Sequence, residues 1–347
     1  MKKVKVFLGG YINYTNAQNL NCRALAEYLD KDKFKIFTLT THFGEKEKFE
    51  VNTFNCIRPF CISKQLGFLW GILHCDVAYL PKHVDTPLWV LKLAKFLKKP
   101  IFTTIEGNVI DRKKIHNLIS LFDSKEDLKY HFSFFNEVYS ITEYLLGETK
   151  QFLKLENKIL ALGVSNLDFQ LQKKHTELKK IIFIGSLTKN KKVGQLLNLA
   201  ENYPLLSFII IGDGIERKRL EEKAQKNVFF MGRLSHKEIK QVFAKSDLFF
   251  LPSKSEGFPK VILEAASAGI PSIVYNTYGA SDWMENKKNG FIATDLDDVK
   301  SIINELLDNL KLLQITSENA VKLADRFDWK NVIKDWEGVI INLSNGK

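Results

Sequence analysis

Short apolar runs alternate with amphipathic stretches along this chain. In the first half, strand-like runs fall at residues 5–8, 35–40, 77–80, 101–104 and 138–141, with helix-like stretches at 17–29 and 87–97. A short apolar run bounded by turn residues suits a strand buried on both faces, and apolar positions recurring every three or four residues suit a helix laid on a sheet. A second series starts at residue 181. It places strands at 181–185, 206–211, 228–231 and 247–251, and helices at 192–201, 215–225 and 236–245. Such alternation is the sequence form of a parallel sheet, because parallel neighbours need a crossover connection. Two series predict two Rossmann-like α/β/α domains, joined within 162–180, where residues 165–180 are polar and charge-rich. Past a helix near 296–310, Phe327, Trp329, Val332, Ile333 and Trp336 recur at helical spacing and predict an amphipathic end helix.

The length of 347 residues agrees with two domains, each able to bury its own core. Charge sharpens the picture: 51 Lys and Arg against 40 Asp and Glu leave a formal +11, which favours anionic partners such as nucleotides, phosphoglycolipids or an acidic membrane surface. Nucleic acid is not expected as a partner, since no recognisable binding module occurs and the lysines are scattered as on solvated helix faces. Cys22, Cys56, Cys61 and Cys75 lack Cys-x-x-Cys pairing and are read as reduced thiols. The basic start before residues 6–10 has too short an apolar run for a signal sequence, so it reads as a first strand of a cytoplasmic protein. No segment reaches the length of a transmembrane helix, and any membrane contact is expected to be peripheral. Two segments bear on such contact. Residues 87–99 place Lys92, Lys95 and Lys99 on one face but read first as a helix covering a sheet; residues 64–71 are the better membrane candidate.

The densest chemistry lies at 247–264. A strand-like run at 247–251 is followed by the turn Pro252-Ser253-Lys254-Ser255 and then by Glu256-Gly257-Phe258-Pro259-Lys260. Glu256 should therefore sit at the carboxyl end of a buried strand, where ligands of open α/β sheets collect. Pro259 is placed as the first helical residue, and Gly269 and Pro271 end the helix. Glu264 lies about two turns on, so both carboxylates can address one cleft, one towards sugar hydroxyls and one towards a ribose. The unpaired N–H groups of the first turn would meet a phosphate.

Residues 247–292 resemble the signature region of the retaining glycosyltransferases of the GT-B fold, family 4. The resemblance rests on Glu256 and Glu264 with seven residues between them, the small residues 265–268, Gly269-Ile270-Pro271 and Asn289-Gly290, and it extends upstream through 181–187, 210–214 and 228–235. It implies two Rossmann-like domains facing a central cleft: an acceptor-binding domain at 1–165, a nucleotide-sugar-binding domain at 166–325, and an end helix at 326–347 crossing back to the first. It also implies that Glu256 touches the donor hexose, that Glu264 binds the ribose, and that Gly257, Phe258, Pro259 and Lys260 line the diphosphate. In the family a Gly-Arg-Leu motif and a following lysine neutralise that diphosphate. Here Gly185-Ser186-Leu187 precedes Lys191, so the lysine is matched and Ser186 replaces the arginine. Arg233 and Leu234 fall where relatives contact the nucleobase through backbone groups. Where relatives place a histidine, this chain has Glu106 in Thr104-Ile105-Glu106-Gly107-Asn108, read as a sugar or acceptor contact or a base.

The remaining glycines have two readings each. Gly212, in Gly212-Asp213-Gly214, is first a turn residue and second a nucleotide contact, while Gly9 and Gly10 either approach the ligand or make a tight turn at the strand end. Asp295-Leu296-Asp297 looks like a metal motif of a different transferase fold but reads as a helix opening. The histidines, His116 among them, never pair at helical spacing, so no metal ligands are named and no cofactor is expected beyond the donor itself. The expectation is a metal-independent retaining hexosyltransferase that moves a sugar from a nucleoside diphosphate, UDP first, to a saccharide or lipid-linked acceptor, at the inner face of the plasma membrane if bound there. Two alternatives remain: a non-catalytic sugar-nucleotide-binding subunit, and a sugar-nucleotide epimerase of the same fold.

Overall fold

The computed structural model describes residues 2–83, 85–107, 122–151, 153, 158–165 and 175–346. Asn108, His116 and residues 166–174 of the expected connection lie outside the described residues. The chain divides into two compact units, Met1–Gly163 with Trp329–Lys347, and Val164–Asp328.

The first unit is built from β1 (Val4–Tyr11), α1 (Ala17–Tyr28), β2 (Phe34–Thr41), β3 (Asn52–Cys56), α2 (Phe60–His74), β4 (Val77–Tyr79), α3 (Leu88–Phe96), β5 (Ile101–Ile105), α4 (Lys125–Phe132), β6 (Glu137–Ser140) and α5 (Glu143–Lys150). Its six strands are parallel, in the order β3-β2-β1-β4-β5-β6. Sequence patterning does not indicate β3, because Asn52, Thr53 and Asn55 are exposed on an edge strand that presents little apolar surface. Nor does it give α2 its full length, since Gly67 and Gly71 interrupt the helical pattern. Both glycines allow close packing: a Cβ at Gly71 would lie 2.3 Å from the Phe7 ring, and one at Gly67 would lie 3.0 Å from Leu39.

Gly9 and Gly10 lie inside β1 rather than at its end, where the β1–β2 register shifts between Leu8 and Tyr11. A Cβ on either would come within 2.7 Å of Leu80 or of Cys22, so both have a packing reason to be glycine. Burial pushes the Cys22 thiol far up and the Cys56 thiol up to about 11.

Beyond β4, His83 and His131 pack with ring centroids 5.9 Å apart, near Phe132 and Phe135. Burial and the neighbouring His131 hold His83 down from 6.5 to about 3, and burial takes His131 to about 4. Both are neutral in the fold, whereas the unfolded chain protonates near pH 6.5. Stability from this pair is complete above that pH and is lost as pH falls towards the folded values. The urea midpoint of this unit should therefore drop between about pH 7.5 and 5, and drop less in His131→Phe. Equal midpoints at the two pH values would contradict the burial of neutral rings.

The second unit repeats the plan with β7 (Lys180–Ile184), α6 (Gly194–Asn202), β8 (Ser207–Ile211), α7 (Arg217–Glu221), β9 (Val228–Gly232), α8 (His236–Phe243), β10 (Leu248–Leu251), α9 (Lys260–Ser267), β11 (Ser272–Tyr275), β12 (Phe291–Ala293), α10 (Leu296–Asp308) and α11 (Leu310–Arg326). Its parallel strands run β12-β11-β10-β7-β8-β9, which is again the doubly wound order. Phe183, Phe208, Phe243, Phe249 and Phe250 fill the core without exposure. The helix expected at 215–225 is shorter, the one expected near 296–310 is found at Leu296–Asp308, and a further helix, not expected, follows Asn309, whose side chain accepts from Leu312 N. Asp295 caps α10 by accepting from Asp297 N and Asp298 N. The end helix, α12 (Trp329–Ser344), belongs to the first unit, where Trp336 is fully buried and its indole donates to Ala161 O at 2.9 Å.

Candidate active site

The doubly wound order reverses between β7 and β10, and a crevice opens at the carboxyl ends of strands where such an order reverses. The loop after β10 leads through Glu256 and Gly257 into α9. Pro259 is the N-cap rather than the first helical residue, and its side chain makes no capping hydrogen bond. The helix ends at Ala268, and Gly269 follows in the left-handed conformation at φ 74°. Glu264 is half-buried on α9, while Phe258 packs against Trp283 and Phe327 with centroids 5.6 Å and 5.1 Å away.

After β7 the chain makes a 3-10 turn at Lys189–Lys191. Lys191 Nζ meets Glu256 Oε1 at 2.5 Å, so these two site candidates are brought together from either side of the switch point. Two more bonds clasp the loops: Asn190 Nδ2 donates to Ser255 O at 2.9 Å, and Lys254 N donates to Asn190 O at 2.9 Å. Tyr278 follows β11 with its hydroxyl buried and no hydrogen-bond partner among the described residues. Burial and the nearby Glu256 charge push its pKa well up, so it stays a neutral phenol beside the carboxylate. The sequence reading overlooked Tyr278 and Asn190; the signal available for both was their place in loops that follow strands β11 and β7.

Gly212 has φ 132°, and a Cβ there would stand 1.9 Å from Gly185 O. The turn it makes is closed by Gly185 N donating to Ile211 O at 3.0 Å and Leu187 N donating to Asp213 O at 3.0 Å. Gly185 and Gly212 therefore have a steric role in shaping the loop under the site. Ser186 is exposed at the end of β7, and Lys192 holds its ammonium 5.6 Å from the Tyr275 ring centroid. Arg233 is exposed just past the edge strand β9, with Leu234 packed against the core.

In the first unit, Glu106 follows β5 and its carboxylate is fixed from both sides. Asn21 Nδ2 donates to Oε2 at 3.0 Å, and the hydroxyls of Thr104 and Tyr79 stand 3.1 Å and 3.2 Å from Oε1. Those hydroxyls are 2.6 Å from each other, so two protons serve three links and the group is a connected buried network. Asn21, Tyr79 and Thr104 were not anticipated, because they come from α1, β4 and β5.

Residues 164–323 match the family model described as Glycosyl transferases group 1. The chain is 27% identical over 176 residues to an uncharacterized glycosyltransferase of Haemophilus influenzae, covering 47% of this chain and 49% of the relative. It is 32% identical over 171 residues to the UDP-Gal:alpha-D-GlcNAc-diphosphoundecaprenol alpha-1,3-galactosyltransferase of Escherichia coli, covering 48% of this chain and 42% of that one. With the 2-deoxystreptamine N-acetyl-D-glucosaminyltransferase of Niallia circulans it shares 29% identity over 256 residues, 64% of each chain. The match thus spans between 42% and 64% of these relatives' length. Among solved structures, the fold is shared with HepE of Anabaena in complex with UDP and glucose, at TM-score 0.78 and 17% identity, covering 98% of this chain and 100% of that one.

Proposed function

We propose that this chain, whose residues 164–323 match the glycosyl transferases group 1 model, is a retaining, metal-independent transferase that moves a hexose or N-acetylhexosamine from a UDP-sugar to a saccharide or lipid-linked acceptor. The observation that carries this reading is the Lys191–Glu256 pair at the switch point between β7 and β10. A cation there, next to the start of α9, suits a diphosphate and the charge that grows on it as the glycosidic bond breaks. Transfer is loose and oxocarbenium-like, with the acceptor oxygen arriving on the face the diphosphate leaves. Gly257 to Lys260 and Lys191 hold the diphosphate, Glu256 holds the hexose, Glu264 holds the ribose, and Glu106 orients the acceptor.

The choice of UDP is supported by the named donor of the Escherichia coli relative and by UDP in the HepE complex. The acceptor belongs, in this reading, to surface polysaccharide or glycoconjugate synthesis on the cytoplasmic side. Ser186 favours a second reading, a non-catalytic sugar-nucleotide-binding subunit, since it supplies no charge where the family resemblance implies an arginine.

A calorimetric screen of UDP-, GDP- and ADP-sugars tests the donor. One UDP-sugar should bind, and Glu264→Ala should weaken it roughly ten-fold or more through loss of a charged hydrogen bond, with a smaller effect on turnover at saturation. Unchanged affinity in Glu264→Ala would remove that residue from the donor site, and binding of GDP- or ADP-sugars alone would overturn the choice of base.

A further inference from the structure

Helices α2, α3 and α4 join strands that step successively from β3 to β6 across the first sheet, whereas α1 joins β1 to β2 in the opposite direction. With right-handed crossovers, the first three helices lie together on one face and α1 on the other. A helix on a sheet normally keeps its outer side polar. This face departs from that rule.

On α2, Ile62, Leu66 and Leu73 are 58%, 51% and 54% exposed, at a spacing that puts them on one stripe. On α3, Trp89 and Phe96 are 41% and 83% exposed and also share one side. The two helices are linked where the Trp89 indole donates to Gln65 Oε1. The inner stripe of α2, with Gly67, Phe68, Gly71 and Ile72, is what packs on the sheet, so the outer apolar residues are not needed for the core.

Charge identifies the partner. Residues 51–75 and 86–105 contain no Asp or Glu, and the exposed acids of this face, Glu126 and Asp127, lie on α4, while Lys92 and Lys95 are exposed on α3 among the apolar side chains. Their ammonium groups sit 5.8 Å and 5.4 Å from the ring centroids of Tyr130 and Phe134, which keeps the aromatic and cationic groups together on the same face. A protein partner that pairs with lysines on this apolar surface would need acidic groups set among apolar ones in matching positions. An anionic bilayer offers phosphates above acyl chains everywhere. We propose that the α2–α3 face is a docking surface for an anionic lipid bilayer, with Leu66, Leu73, Trp89 and Phe96 entering the interface and Lys92 and Lys95 meeting phosphate headgroups. The segment at 64–71 contributes as part of this surface and not as a separate insertion. Among the described residues no helix is long and apolar enough to cross a membrane, so the contact is interfacial.

The proposal does not depend on the transferase reading, and its test needs no donor. The full chain is sedimented with vesicles of phosphatidylglycerol and phosphatidylcholine, and with phosphatidylcholine alone, at low and high salt. Binding should require the anionic lipid and fall steeply with salt. Leu66→Glu/Phe96→Glu should weaken it by about ten-fold or more, and Lys92→Gln/Lys95→Gln should weaken it while flattening the salt dependence. All four positions are exposed, and an unchanged thermal midpoint confirms that a variant is folded; should the glutamate pair fail this check, the glutamine pair decides. Equal binding to both vesicle types, no binding to either, or a self-association abolished by the same substitutions would each overturn the assignment.

Discussion

Glu256→Ala and Lys191→Ala are each expected to lower sugar transfer by about 10²–10³-fold, the range seen when one preorganised charge-stabilising group is removed from an active site. The two residues form one ion pair at the switch point, so the double variant should be little worse than the poorer single one. The partner left behind explains the non-additivity. Without Glu256, Lys191 loses the carboxylate that holds it in place; without Lys191, Glu256 keeps a charge next to the buried Tyr278 hydroxyl. Lys191→Arg keeps the charge but changes the geometry, and should recover part of the rate. Fully additive losses, or single losses below about three-fold, would place the pair outside the reaction.

Trp336→Ala should cost about 3–5 kcal/mol in the first unit, as for other fully buried aromatic residues cut to alanine. The indole has no exposure, packs its ring 5.0 Å from Tyr79 and 6.2 Å from Phe102, and donates to Ala161 O. The loss should be visible as faster hydrogen exchange in β4 and β5, the strands carrying those rings, and Trp336→Phe should lose less. A cost under about 1 kcal/mol would mean that α12 is not part of this core.

The alternation of buried strands and helices reads directly, because strands covered on both faces are uninterrupted apolar runs, and Leu248 to Leu251 is one of them. The edge strand β3 has no such run, and the glycines of α2 make sense only against Phe7 and Leu39. The loop from Glu256 into α9 was legible from its own residues and from family resemblance. Its pairing with Lys191 was not, since 65 positions separate the two and only the adjacency of β7 and β10 brings them together. Glu106 was legible as a departure from the family pattern, whereas its network with Asn21 and Tyr79 depends on strand order. Gly9 and Gly10 read as the end of a strand because nothing local reveals that Leu80 and Cys22 pack onto them.

The most direct test of the proposed transfer is release of UDP from the UDP-sugar that binds, measured with and without a panel of saccharide and lipid-linked acceptors. The account predicts release that an acceptor accelerates, yields a product with the donor's anomeric configuration, and collapses in Glu256→Ala. Binding without release under any acceptor would contradict it in favour of a non-catalytic subunit, and release indifferent to acceptor would contradict it in favour of an epimerase or hydrolase.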